Sequence, residues 1–223
     1  AHEFFWGFGT SFHTIYALVP LFLKELNAPD YITASCAGIF VIAIAMPTLF
    51  SAAIGRNIKD IKKTAILLHC LILLVAFMMG FTFLILEPTL VNNAWKIYLF
   101  YFILYSISIG ITVPFWTDFI HQSTLKTHRG KFFGLGFAFN SIGGFIGGIT
   151  LKYIFIHDIT FPKNFGIGFF ILFFSLLIGT MLFLPFKIKS NKNNFQKKTL
   201  KSFFLQTKNI IKKHTNFQKY IIS

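Results

Sequence analysis

The sequence predicts an all-α membrane protein with six transmembrane helices, and three observations carry that prediction. The composition is too apolar for a water-soluble domain: of 223 residues, 55% are hydrophobic and only 13% charged, with a mean hydropathy of +0.67. The apolar residues fall into six runs, at about 4–23, 33–54, 65–86, 97–119, 132–155 and 165–186, each near the ~20 residues a helix needs to cross a ~30 Å hydrocarbon core. None shows the period-2 alternation of a barrel strand, and a backbone in lipid must satisfy its own hydrogen bonds, so the runs read as helices. The charge, finally, is sorted by side. The links after the second and fourth runs hold Arg56, Lys59, Lys62, Lys63, Lys126, Arg129 and Lys131, and ten lysines follow from Lys187, so 17 of the 21 Lys and Arg lie on one side. The positive-inside rule makes that side, with both termini, cytoplasmic in a cell (inner) membrane. A net charge of +14 distributed in this way belongs to a membrane surface rather than to nucleic acid.

The first run begins within four residues of Ala1, which is not an initiator methionine, so the chain reads as cut at its front. With Glu3 ahead of it and no basic flank, the run is not a secretory signal. Trp6, Gly9, His13, Tyr16 and Pro20 follow steps of three and four, which puts them on one face of a helix. His13 is a candidate for a solute path because an ionisable group in mid-membrane needs a cavity or a partner. The second run carries Pro47, placed to kink it, and Ser51, Ala52 and Ala53, small enough to admit a neighbour. The third is almost featureless, with His69 near its start read as interfacial or structural.

The fourth run repeats the pattern of the first. Tyr98, Tyr101, Tyr105, Ser108, Thr112 and Phe115 again alternate steps of three and four, giving one polar and aromatic face. Two such faces suit a shared aqueous cavity, with Trp6, His13, Tyr16, Tyr101, Tyr105, Ser108 and Thr112 as its candidate residues. Near the end of this run stands Asp118, with Arg56 and Arg129 as candidate partners in a cytoplasmic gate. The fifth run is rich in small residues, and Asn140, Gly144 and Gly148, beside Gly143 and Gly147, give two adjacent faces along which another helix can approach. The sixth follows Phe161-Pro162-Lys163-Asn164 and reads as a supporting span. Residues 1–186 thus form the bundle and 187–223 a basic segment. In that segment Leu200, Phe203, Ile210, Phe217 and Ile221 share one helical face, with Lys201, Lys208, Lys212 and Lys219 between them, a pattern for an anionic lipid surface.

Six spans with both ends inside and a basic link between the second and third resemble the amino-terminal half of a major facilitator superfamily (MFS) transporter. Ser51-Ala52-Ala53-Ile54-Gly55-Arg56, with Lys62 and Lys63 beyond, is similar to that family's Gly-x-x-x-Asp-Arg-x-Gly-Arg-Lys loop motif, with Gly55 where the acid would stand. The segments Pro114–Ile120, His128–Gly134 and Phe161–Phe165 are similar to a poorly characterised bacterial branch. The resemblance implies two inverted three-helix repeats with the first and fourth helices lining a central cavity. It implies also a carboxy-terminal half beyond Ser223 as partner, a small-molecule substrate, and in the gate an Asp118–Arg56 pair standing in for the missing loop acid. Two features of the family are lacking: the fourth helix has no arginine, and Asn140-Ser141-Ile142-Gly143-Gly144 lacks the Gly-Pro of the antiporter motif.

The function expected is secondary active transport of a small solute by alternating access. The alternative is a self-contained six-helix protein acting as a homodimeric permease or a non-transporting scaffold. No cluster able to activate a nucleophile or bind a metal is visible, and Cys36 and Cys70 form no disulfide framework, so no enzyme activity, cofactor or metal is expected.

Overall fold

Helices account for nearly all the regular structure in the computed structural model, which describes residues 1–55, 57–87, 91, 93–186, 188, 200–214 and 219. They are α1 (His2–Thr10), α2 (Leu18–Glu25), α3 (Asp30–Gly55), α4 (Ile61–Ile85), α5 (Ala94–Ser123), α6 (Arg129–Ile156), α7 (Lys163–Met181) and α8 (Leu200–Lys213). Five of them, α3 to α7, are long and apolar enough to cross a membrane. The links α3–α4 and α5–α6 lie at one end of the bundle, here termed the basic end, and α1 starts from it.

The first predicted span is not one continuous helix. α1 ends in a 3-10 turn at Ser11–His13, Thr14 is extended (φ −73°, ψ 126°), and α2 begins only at Leu18. Pro20 gives the reason: inside a continuous helix its ring would press on the Tyr16 carbonyl, whereas in the first turn of α2 its missing N–H is one that would have no partner in any case. Thr14 closes the gap, since its Oγ1 accepts from Leu18 N at 3.1 Å and its carbonyl from Val19 N at 3.0 Å. The break turns Tyr16 out of the expected stripe, and its ring is 83% exposed.

Packing pairs α1 with α6, α3 with α5 and α4 with α7, while α4 also meets α5 and α1 also meets α7. Close approach at α1·α6 comes from glycine. A Cβ on Gly143 would overlap the Phe4 carbonyl, one on Gly147 would overlap Ser11, and one on Gly7 would overlap the Asn140 carbonyl. Asn140 Nδ2 adds a bond to the Glu3 carbonyl at 3.2 Å. The contact therefore runs through Asn140, Gly143 and Gly147. A Cβ on Gly144 would find only ordinary contact with Gly7, and one on Gly148 would meet open space. Close packing expected from the sequence through Asn140, Gly144 and Gly148 therefore holds at Asn140 but falls on the neighbouring glycine face, since both faces are small and spacing alone does not separate them.

The α3·α5 contact is organised by proline. Pro114 has no N–H, so the Gly110 carbonyl one turn earlier loses its helical donor. Thr48 Oγ1 shares its proton between the Ile44 carbonyl at 2.8 Å and that of Gly110 at 2.9 Å, and Ser51 Oγ, 3.2 Å from the Thr48 carbonyl, stands 3.4 Å from that of Gly110. In hydrocarbon such a carbonyl must find a partner within the protein, and here the neighbouring helix supplies it. At the basic end Asp60 caps α4 by accepting from Lys63 N at 2.9 Å, and Lys62 Nζ donates to the carbonyls of Leu184 and Phe186 at 2.6 and 2.7 Å just past α7.

Two apolar cores result. The larger fills the middle and far end around Phe12, Phe22, Phe83, Tyr98, Phe102 and Phe169, and the smaller fills the basic end around Ile61, Ala65, Phe115, Phe119, Ile120 and Phe183. α3 and α6 keep most of their surface outside both, with Ile42, Met46, Phe137, Phe145 and Tyr153 among the exposed apolar residues. α8 is amphipathic and basic, with Leu205 and Ile210 exposed and Lys212 and Lys213 in its last turn. Phe217 and Ile221, and the side chain of Lys201, lie outside what the structure describes.

Candidate functional site

Between the two cores lies a half-open cavity of about 150 Å³ lined by α1, α4 and α5. α1 contributes His2, Glu3 and Trp6, α4 contributes His69 and Ile72, and α5 contributes Ile109, Thr112, Val113 and Trp116. At ~1.5 Å per residue its α5 wall stands about 10 to 20 Å from the basic end of that helix, well inside the bundle. The α1 residues reach it because His2 and Trp6 are one turn apart and their rings stack, with centroids 5.8 Å apart.

Two polar side chains of the cavity bond to each other, and the others bond to backbone carbonyls or have no partner among the described residues. His2 Nδ1 and Glu3 Oε1 are 3.0 Å apart, the one ion-pair contact among the described residues. His69 Nδ1 lies 2.7 Å from the Ala65 carbonyl. A carbonyl only accepts, so Nδ1 carries the proton and Nε2 is left as an acceptor. His2, Trp6 and Phe183 gather round the His69 ring at centroid distances of 5.8, 5.8 and 5.1 Å. His2 Nε2 and Trp116 Nε1 are buried with no partner among the described residues. Thr112 Oγ1 is engaged with the Ser108 carbonyl at 2.7 Å and reaches that of Leu68 at 3.3 Å. No three His, Cys, Asp or Glu among the described residues converge as metal ligands.

Of the residues singled out in the sequence, Trp6 and Thr112 line this cavity. His13 and Tyr105 sit deeper in the larger core, where their rings meet with centroids 4.9 Å apart and Tyr98 Oη lies 3.1 Å from His13 Nε2. His13 Nδ1 and Tyr105 Oη have no partner among the described residues. Ser108 is buried and bonds back to the Leu104 carbonyl at 2.7 Å. Tyr101 points to α4, with its Oη 3.0 Å from Thr82 Oγ1, and Tyr16 is outside the bundle. At the basic end Asp118 is exposed, Arg129 Nη2 donates to the His121 carbonyl at 2.7 Å, and Arg56 lies outside the described residues.

His2, Glu3, His69 and Trp116 are the residues that sequence reasoning did not bring into the site. Glu3 was set before the first span and His69 at an interface, whereas α1 starts at His2 and the His69 ring is 2% exposed. The available signal was the helical spacing of His2, Glu3 and Trp6, which carries the Trp6 face back one turn.

Five apolar helices of membrane-spanning length mark a multi-pass membrane protein. The family model of the Major Facilitator Superfamily matches residues 4–148, well over half of the chain. The chain belongs to that superfamily, whose members are membrane transporters. Neither the curated proteins nor the solved structures give a match to it.

Proposed function

We propose that the chain is the amino-terminal six-span half of a secondary active transporter, and that it moves a small solute by alternating access through the cavity between α1, α4 and α5. The observation that carries this reading is the superfamily match over residues 4–148. The packing supports the inverted repeats. Exchanging the first three spans (α1 with α2, α3, α4) for the last three (α5, α6, α7) turns the α1·α6 contact into α5·α3 and α1·α7 into α5·α4, and returns α4·α7 to itself. On this reading α1 and α5 are equivalent members of the two repeats, which agrees with their shared lining of the cavity.

In the state described, the far end is sealed by the rings of Phe22, Phe83, Tyr98, Phe165 and Phe169, and His13, Tyr105 and Ser108 lie behind that seal. The basic side is the cytoplasmic one in our reading, with α8 on anionic lipid. In the opposite state, Asp118 pairs with Arg56 to hold the basic ends closed, a pair freed when the cavity faces the cytoplasm. Asp118 has an exposed carboxylate, and Arg129 is engaged with the His121 carbonyl, which leaves Arg56 as the partner proposed for it. The carboxy-terminal half would cover the apolar faces of α3 and α6.

The test is uptake of a panel of labelled solutes into vesicles that contain the full gene product. Saturable uptake that is lost in Val113→Trp, which fills the cavity, is the expected result. Saturable uptake unchanged by that substitution would count against this route.

A further inference from the structure

The lining of the cavity is uneven in charge and in hydrogen-bonding groups. No Lys or Arg lines it, and Glu3 is its one acidic side chain. The His69 tautomer leaves Nε2 as an acceptor, and His2, with Nδ1 donating to Glu3, presents Nε2 as a second acceptor when its ring is neutral. A carboxylate accepts at two oxygens, and the His2 ring takes up one of them. Against these acceptors stand the indole N–H groups of Trp116 and Trp6, because the Thr112 hydroxyl is already donated to the Ser108 carbonyl. The indoles of Trp6 and Trp116 line the cavity, a residue type that attracts cations, and Ile72, Ile109 and Val113 supply an apolar wall. A volume of ~150 Å³ is of the order that holds one aromatic ring.

We infer that this cavity takes a small amphipathic organic cation, a protonated amine on an apolar body, with its ammonium on the Glu3 carboxylate among the rings of His2, His69, Trp6 and Trp116. The inference rests on the transporter reading for its biological meaning. The binding chemistry stands on the cavity alone. An anion would face Glu3 with only indole N–H donors to offset the repulsion, and a neutral solute would meet the carboxylate with no charge to offset its own.

Three probes of one size and different charge test it: benzylammonium, benzyl alcohol and benzoate, measured by equilibrium dialysis on the purified full-length protein. Benzylammonium is expected to bind saturably and at least about tenfold more tightly than the other two, the span of one charge-assisted hydrogen bond. Glu3→Gln should remove about tenfold of that affinity and leave benzyl alcohol binding unchanged, with Glu3→Asp retaining most of it. Trp116→Leu, which leaves the Glu3–His2 pair in place, should weaken the cation by roughly threefold or more and the alcohol less. Benzoate binding as tightly as benzylammonium, no saturable binding of any probe, or full cation affinity in Glu3→Gln would each overturn the inference. Should Glu3→Gln fail to fold, the charge series on the unaltered protein decides alone. Cation binding without uptake of any solute would sink the carrier reading and leave this site. Uptake with no preference for cations would do the reverse.

Discussion

Tyr98 Oη and His13 Nε2 meet at 3.1 Å inside the larger core, joining the last turn before the break in the first span to the start of α5. Both side chains are buried, and Phe102, Tyr105 and Phe169 close round the imidazole at centroid distances of 5.9, 4.9 and 5.8 Å. Tyr98→Phe removes the hydroxyl and leaves both ring nitrogens of His13 bare, since Nδ1 has no partner among the described residues. The expected loss is about 1 to 3 kcal/mol, read as a lowered midpoint of thermal unfolding in detergent. His13→Leu together with Tyr98→Phe should recover most of it, because removing both polar partners removes the unmet demand. An unchanged midpoint in Tyr98→Phe would show that the pair contributes nothing.

Helix α6 offers a comparison between two glycine faces only one residue apart. Gly143→Ala and Gly147→Ala each place a methyl group into the α1 backbone or the Ser11 side chain, so α1 must move away. Gly148→Ala adds a methyl group where nothing stands within 4 Å. Size-exclusion profiles of membrane extracts should show the first two variants largely aggregated and the third like the unaltered protein. A Gly148 variant as damaged as the Gly143 variant would place α1 on the wrong face.

Pro114 and the hydroxyls opposite it make a linked prediction. Thr48→Val with Ser51→Ala leaves the Gly110 carbonyl without a donor and should lower stability by about 1 to 3 kcal/mol. Adding Pro114→Ala returns an N–H to α5 and should restore part of that loss in the same unfolding assay. Without rescue, the destabilisation would have to come from lost packing of the two side chains.

The long apolar spans were legible in the sequence because length and composition alone define them, and the five that the structure presents as continuous helices needed nothing more. The first span was not, since an apolar run looks the same whether or not Pro20 sits in a new first turn, and the helical stripe drawn through Tyr16 assumed that it did not. Trp6 and Thr112 were legible from their spacing. Glu3 and His2 were hidden by their place ahead of the apolar run, and His69 by its nearness to a charged link. What brings them to one cavity is tertiary: the α1·α6 glycine contact sets the depth at which α1 sits, and no local pattern encodes that depth.

The gate proposed for Asp118 and Arg56 can be read without a known substrate. Asp118→Asn and Arg56→Gln should each raise the labelling rate of a cysteine placed at Val113, because loss of the pair favours the state open at the basic end. The exchange Asp118→Arg with Arg56→Asp should bring the rate back toward that of the unaltered gate. Rates unchanged in both single variants would rule the pair out, and faster labelling without recovery in the exchange would point to Arg129 as the partner.

Accessibility of the cavity itself is the most direct test. A cysteine at Val113, in a background with Cys36 and Cys70 replaced by alanine, should react with a small membrane-impermeant thiol reagent applied to the basic side of inside-out vesicles. A cysteine at Ile42, on the outer face of α3, should not. Reaction at Val113 and silence at Ile42 is the result predicted for a solute path between α1, α4 and α5. An inert Val113 cysteine in folded protein would contradict it.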